Sequence, residues 1–370
     1  MNNLSIKRLA IDNRNLEFSS GANVIIGPNA SGKTTIYKYL KHALGLSIDL
    51  TFGFFRYLEL VIIVDATEFT FRRRNGDPTI YIEDESNIKR SFRARSNALN
   101  EFFQLILEPK FAIGNKLTSI FPVLEFCFVS EDDRLNSKSL LSAFRLICGA
   151  NDKLISTASR DIEALTSQIL VDEDFLKRND DFLENFYKNL GGHSLEVRQD
   201  ISVAVKSARD DIIKPLEYKK NILEFSIGKV KQLTSNNETH FAIASNQIEY
   251  VLTQIIDKFP DELPGKINLH RILSRETQAI SYGQTILADY LMRISILRAT
   301  NLVDLNMPKI FINDGMGSRS FDSYYSSKIS SLLEGQIRDD INFQYIEFTH
   351  ESLISTANVV ANLNEKRGGV

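Results

Sequence analysis

At 370 residues, with 43% hydrophobic and 25% charged side chains and a formal net charge of −3, the chain has the make-up of a folded protein of two or three domains rather than a disordered one. That charge balance exerts no general pull toward nucleic acid, so contact with DNA would need a local basic patch. Cys127 and Cys148 lie among apolar residues without metal-like spacing, the N-terminus lacks the charged start and apolar core of a leader, and no apolar run reaches membrane-spanning length; the chain therefore reads as soluble and cytoplasmic, with free buried thiols.

Alternation over residues 4–11 and 16–18 predicts strands that lead into a third, apolar strand at Val24, Ile25 and Ile26. That strand runs into Gly27-Pro28-Asn29-Ala30-Ser31-Gly32-Lys33-Thr34, which satisfies G-x-x-x-x-G-K-[ST] and opens a helix over about residues 33–45. Small residues let successive backbone N–H groups curl round a phosphate, and the helix start favours an anion. Lys33 is placed to reach terminal phosphates, Thr34 to ligate Mg²⁺, and Thr35 to follow in the first turn.

The stretch 58–84 predicts strands with an Asn75-Gly76 hairpin turn. Arg72, Arg73 and Arg74 crowd its tip, either to contact a phosphate backbone or as an ordinary solvated hairpin end. Residues 117–128 are apolar enough for a buried strand and end in the acidic cluster Glu131, Asp132 and Asp133, a candidate group for Mg²⁺ or water, or else an acidic turn. From 152 to 259 the pattern is helical. Ile162, Leu165, Ile169, Leu176, Leu183, Phe186 and Leu190 form one narrow seam, with Asp172 and Asn179 at its two missing positions. Gly191-Gly192 then turns the chain, and Val197, Ile201, Val205, Ala208 and Ile212 supply a facing seam that ends at Pro215, with further helices predicted at about 217–233 and 240–259. This insertion is either a plain helical subdomain or a docking arm.

Downstream, Ser281, Gly283 and Gln284 open another helical pattern, a weak second anion site. Residues 308–314 read as an apolar strand ending in Asp314, a form suited to holding Mg²⁺, and the strand 343–348 ends in Thr349 and His350.

In their order these segments resemble an ABC-type ATPase, and within that class the compact SMC/RecF/OLD-like group of DNA repair and bacterial anti-phage defence. The resemblance implies an α/β fold: an ABC-type P-loop nucleotide-binding domain with an N-terminal β-rich lobe over 1–150, an inserted helical hairpin or short coiled coil over 151–265, and a C-terminal ATPase lobe over 266–370. It implies ATP and Mg²⁺ as cofactors. Gly27, Asn29, Ala30, Ser31, Gly32, Lys33, Thr34 and Thr35 would cradle the nucleotide, with Thr34, Asp314 and Glu131 at the metal. Ser281, Gly283 and Gln284 would be the signature, Asp322 the D-loop acid, and Lys33, Asp314 and His350 the catalytic set. It further implies a homodimer closed around ATP or a higher oligomer, an effector such as a nuclease or other toxin, and no membrane partner; direct DNA binding stays open.

Three positions depart from the family pattern. An acid stands where the Q-loop glutamine is usual, Tyr282 replaces a small signature residue, and Gly315 stands where ABC ATPases carry the glutamate that polarises the attacking water. Without that base hydrolysis is expected to be slow, unless Asp132 or Glu351 serves instead. A DNA-stimulated repair ATPase, a transporter nucleotide-binding subunit and a non-hydrolysing ATP-bound scaffold are the rival readings.

Overall fold

A computed structural model describes residues 2–48, 55–108, 119–130, 136–149, 152–189, 195–259, 268–274, 282–315 and 323–363. The elements in chain order are β1 (Leu4–Ile11), β2 (Arg14–Glu17), β3 (Gly21–Ile26), α1 (Lys33–Ala43), β4 (Tyr57–Val64), β5 (Thr67–Arg74), β6 (Thr79–Asp84), β7 (Lys89–Arg93) and α2 (Asn97–Leu107). Then come α3 (Phe121–Phe126), β8 (Phe128–Ser130), α4 (Ser137–Ile147), α5 (Asp152–Asn189), α6 (Leu195–Ile256), α7 (Leu269–Ser274) and α8 (Tyr282–Ala299). β9 (Ile310–Asp314), α9 (Ser323–Asp339), β10 (Gln344–Thr349) and β11 (Asn358–Asn362) complete the set. The chain divides into two compact units, Met1–Ala150 with His240–Val370, and Asn151–Thr239.

The first unit holds two sheets. One is antiparallel, in the order β2-β1-β4-β5-β6-β7; the other is parallel, in the order β11-β3-β10-β9-β8. Gln344 at the start of β10 ties them together: its Oε1 accepts from Ile6 N (2.7 Å) and its Nε2 donates to Ile6 O (2.8 Å) and Ser19 O (2.9 Å). The β1–β4 register slips between Ile6 and Arg8, a bulge of the kind that frees backbone groups from the ladder. Strands β3, β10, β9 and β8 of the parallel sheet are nearly all buried, as expected where both faces are covered, whereas the edge strand β11 is largely exposed, and α1 packs on one face with Tyr37 edge-on to Phe128 (5.7 Å) and Phe348 (5.9 Å). α8 is buried from Ile286 to Leu297, which explains why it is apolar almost all round.

The strands and turn predicted over 58–84 are present, with β5 and β6 paired across Asn75-Gly76 and Gly76 at φ 78°. Period-two alternation in β5 settles the arginine cluster. The alternation that buries Phe69 and Phe71 carries Arg73 inward to 1% exposure, while Arg72 lies half-exposed and Arg74 points outward. Arg72 is held by Glu59 (2.8 Å) and by Glu83. A three-arginine contact with a nucleic-acid backbone is therefore not what this hairpin offers.

Two expectations are corrected. The buried strand predicted over 117–128 is the helix α3 followed by the short strand β8; Pro122, favourable in a first helical turn, and the buried Phe121, Val123, Leu124 and Phe126 suit a core helix, which an apolar run alone does not distinguish from a strand. Nor does Pro215 end a helix. α6 runs unbroken through it for 62 residues, and Leu216, buried beside the proline, supplies packing that opposes the local penalty of about 3 kcal/mol. Within the second unit α5 and α6 pair as the seam predicts: Ile162, Leu165, Leu176, Ile201, Val205 and Ile212 are half-buried and Ile169 buried. Asp172 fills its polar seam position with an ion pair to Lys219 (2.6 Å). Phe186, expected in the seam, is instead 39% exposed.

A candidate nucleotide site at one edge of the parallel sheet

Parallel pairing brings four strand ends to one edge. Thr349 is opposite Ile26, Phe348 opposite Asp314, and Ser130 opposite Asp314, so the loop after β3, the acid ending β9 and the histidine after β10 share the carboxyl edge of the sheet. Open α/β sheets bind ligands there. Two backbone bonds fix the edge, Gly27 N to Thr349 O (3.1 Å) and Gly315 N to Phe348 O (3.1 Å).

The glycine-rich loop has the backbone its sequence calls for. Ala30 (φ 60°) and Gly32 (φ 94°) are left-handed, and a Cβ on Gly27 would stand 2.5 Å from Ser31 Oγ and 2.8 Å from Leu363 Cβ. α1 begins at Lys33 with no side-chain cap from Gly32 and no acid in its first turn. Its exposed dipole end is thus free to take an anion. Ser31 Oγ is buried without a hydrogen-bond partner, a polar atom that a phosphate oxygen would satisfy. Lys33 Nζ donates to Gly27 O and to Pro28 O (2.8 Å), which folds the lysine across the loop. Thr34 and Thr35 lie in the first turn of α1. His350 Nε2 meets Asn29 Oδ1 at 2.6 Å, so the strand-end histidine and the loop touch directly. These features fit a nucleotide triphosphate. Mg²⁺ typically takes one or two protein oxygens beside the phosphates; Thr34 and the nearly buried Asp314 are of that kind.

Beside the loop, a cavity of about 300 Å³ is lined by Ile11, Arg14, Gly32, Thr35, Ile36 and Tyr39. Its apolar walls and single guanidinium suit a nucleoside. No linear spacing could have joined Arg14 to Tyr39; the β1–β2 turn does so, with Asp12 left-handed at φ 50° and its carboxylate accepting from Arg56 N (2.7 Å) and Tyr57 N (2.8 Å).

Gln284 is half-buried in the first turn of α8, and Gly283 belongs to the same turn. Ser281, Asp322 and the acidic cluster of Glu131, Asp132 and Asp133 lie outside the described residues. Gly315 adopts φ 82°, and among the described residues nothing lies within 4 Å of where a Cβ would stand. A glutamate there would carry the backbone strain of the left-handed region, about 1–2 kcal/mol.

Sequence reasoning overlooked Glu347. It is 1% exposed, pairs in register with Asn313, accepts from Leu353 N through Oε2 (3.1 Å), and leaves Oε1 without a partner. Burial pushes its carboxyl up to about 8, against the opposing hydrogen bonds from Leu353 and Ser352. A folded-state value above the unfolded one favours folding at low pH, and that stability is lost as pH rises from about 4.5 to about 8. Glu347→Gln should therefore flatten the alkaline loss: between pH 6 and pH 9 the unaltered chain is expected to lose on the order of 2 kcal/mol more than the variant, read from thermal unfolding at each pH. Equal losses in both proteins would contradict this.

The sequence profile of a family described as "AAA domain" matches residues 5–270. No curated protein matches the chain in sequence. Among solved structures, the Smc head domain with an extended coiled coil, bound to the C-terminal domain of ScpA and derived from Pyrococcus furiosus, is 14% identical with a TM-score of 0.55, over 95% of this chain and 90% of that one. An Smc head domain with a coiled coil and joint from Pyrococcus yayanosii is 13% identical with a TM-score of 0.48, over 95% and 93%. Among the described residues no helix is long and apolar enough to cross a membrane. With the phosphate loop, the acid and the histidine on one sheet edge, the chain belongs to the AAA domain family as an SMC-like ABC-type ATPase.

Proposed function

We propose that the chain is a nucleotide-dependent dimer switch of the cytoplasm. Lys33, Thr34 and Asp314 of one copy hold ATP and Mg²⁺, and Ser281, Gly283 and Gln284 of a second copy close over it, with Asp322 and Glu131 completing the pocket. Mg²⁺, when bound, neutralises charge developing on the phosphates. The chain's own residues supply the loop, the uncapped helix end and the Asn29–His350 contact. ATP bridging two copies favours the closed dimer, and its loss reopens it. Gly315 carries the reading of a slow switch: where the family's glutamate polarises water, this chain has a left-handed glycine, so a step worth about 10²–10⁴ in rate lacks its usual group. A long-lived closed state suits signalling in anti-phage defence, with a separate effector, a nuclease or other toxin, executing the output.

Phosphate release from ATP, with and without DNA and beside Lys33→Ala, tests this. Turnover barely above the Lys33 variant, with ATP bound and dimers formed, is expected. Brisk turnover would identify a base elsewhere and favour a repair-type ATPase. DNA stimulation must not be judged by changing residues 72–74 together, because Arg73 is a core side chain.

A further inference from the structure

Within the first unit, the carboxyl ends of α6, α8 and α9 meet around a cavity of about 580 Å³ that shares no residue with the nucleotide site. It lies toward the opposite edge of the parallel sheet, since α9 reaches it at Gln336 just before β10 begins at Gln344, whereas the phosphate loop follows a strand end. One wall is apolar, formed by the buried Val251 and Ile255 of α6. The floor is polar. Gln336 is 3% exposed, and its amide has no hydrogen-bond partner among the described residues. Arg298, half-buried in the last turn of α8, donates from Nη2 to Leu332 O (3.1 Å), and among the described residues it makes no other side-chain hydrogen bond and no carboxylate comes within ion-pair distance of it. Most of a guanidinium's five N–H donors are thus unmatched by protein. Burial pulls this guanidinium below the usual arginine range, against the attraction of Asp339. α9 makes room for it: a Cβ on Gly335 would stand 3.3 Å from Arg298 Nη2, so a glycine, unfavourable inside a helix, seats the guanidinium. The end of α6 is fixed as well, because Lys328 of α9 donates from Nζ to Lys258 O (2.8 Å) and lies 5.1 Å from the centre of the Phe259 ring.

We infer that this cavity binds a small organic anion, a carboxylic acid or a phosphate ester, with its oxyanion on Arg298 and Gln336 and its carbon frame on Val251 and Ile255. The floor selects the charged group. A planar guanidinium fork matches two oxygens of a carboxylate or phosphate, and the Gln336 amide donates to the same group. Depth selects the sign of the charge. Asp257, Lys258 and Asp339 are exposed at the rim, where water screens them, and Asp339 is shared with Arg338 (3.6 Å); the deeper guanidinium is the charge left without a close counter-ion. Size selects a molecule larger than a bare ion, because the cavity falls within the roughly 300–1,000 Å³ of small-molecule pockets. Seating Arg298 at Gly335 and fixing the end of α6 to α9 hold the groups in place before a ligand arrives, which lowers the cost of binding it. Binding here needs neither the phosphate loop nor ATP.

Titration calorimetry on the full chain with ribose phosphate, glycerol phosphate, succinate and citrate is the test, repeated on Lys33→Ala so that phosphate uptake by the loop is told apart. At least one probe should bind one molecule per chain with a sub-millimolar Kd that Lys33→Ala leaves unchanged, and whether it is an ester or a carboxylate fixes the class. Arg298→Met, which keeps much of the side chain's volume, should weaken that binding at least about 10-fold while helical circular dichroism and ATP-analogue affinity stay the same. Leu302→Trp, at a side chain 61% exposed on the cavity wall, should obstruct the cavity and weaken binding comparably without disturbing the core. Inorganic phosphate should bind at least about 10-fold more weakly than the best probe, since it leaves the apolar wall uncovered. Absence of binding by all four probes at millimolar concentration would overturn the inference, as would full affinity in both Arg298→Met and Leu302→Trp, or inorganic phosphate binding as tightly as the organic anions.

Discussion

Lys33→Ala is expected to lower ATP affinity by about 100-fold or more, measured by titration with a fluorescent ATP analogue. Two losses combine. The ammonium that would meet the terminal phosphates goes, and so does the brace it forms across the loop to Gly27 O and Pro28 O. A charge-assisted hydrogen bond contributes about 1.5–3 kcal/mol, so losing one bond to phosphate together with the ordered loop accounts for that factor. Stability should change little, because the lysine spans a surface loop rather than filling the core; a shift in Tm equivalent to less than about 1 kcal/mol is expected. His350→Ala should weaken binding less, since the histidine reaches the site through exposed Asn29. Unchanged affinity in the Lys33 variant would place the nucleotide elsewhere.

How far this site could be read from sequence follows from which of its parts are local. The phosphate loop, the strand before it and the helix after it are contiguous, so a motif with a fixed spacing exposes them; Asp314 and His350 were legible for the same reason, as polar residues at the ends of apolar runs. Arg14 and Tyr39 were not, because the cavity they line depends on β1 and β2 folding against α1. Glu347 escaped notice inside an apolar strand, where only burial reveals that a carboxyl lacks a partner. The sequence around α3 does not separate helix from strand because a short apolar run is compatible with either period, and the continuity of α6 is hidden because the local penalty at Pro215 is visible in sequence while the packing of Leu216 is not.

Arg73 shows how strongly context can revise a charge cluster. Buried at 1% exposure, it donates from Nη1 to His42 O (2.7 Å) and lies 3.1 Å from His42 Nδ1, at the carbonyl end of α1, where a cation opposes the helix dipole. Burial nevertheless pulls its guanidinium down to about 10, against the attraction of Asp77, and burial followed by Arg73 pulls His42 down to about 4. The charge is thus a liability, while the side chain's volume and its bond to the helix end stabilise. That balance separates two substitutions. Arg73→Ala removes both benefits and leaves a cavity in the sheet–helix core, so a loss of about 3–4 kcal/mol in denaturant unfolding is expected. Arg73→Met keeps most of the volume and removes the buried charge, so its loss should stay near 1 kcal/mol. His42 supplies a pH check: its depressed value disfavours the folded state in acid, with stability lost as pH falls from about 6.5 to about 4. Arg73→Met should shrink that acid loss by removing the neighbouring charge. If Arg73→Ala and Arg73→Met were equally damaging, the guanidinium itself, not its volume, would be the stabilising element.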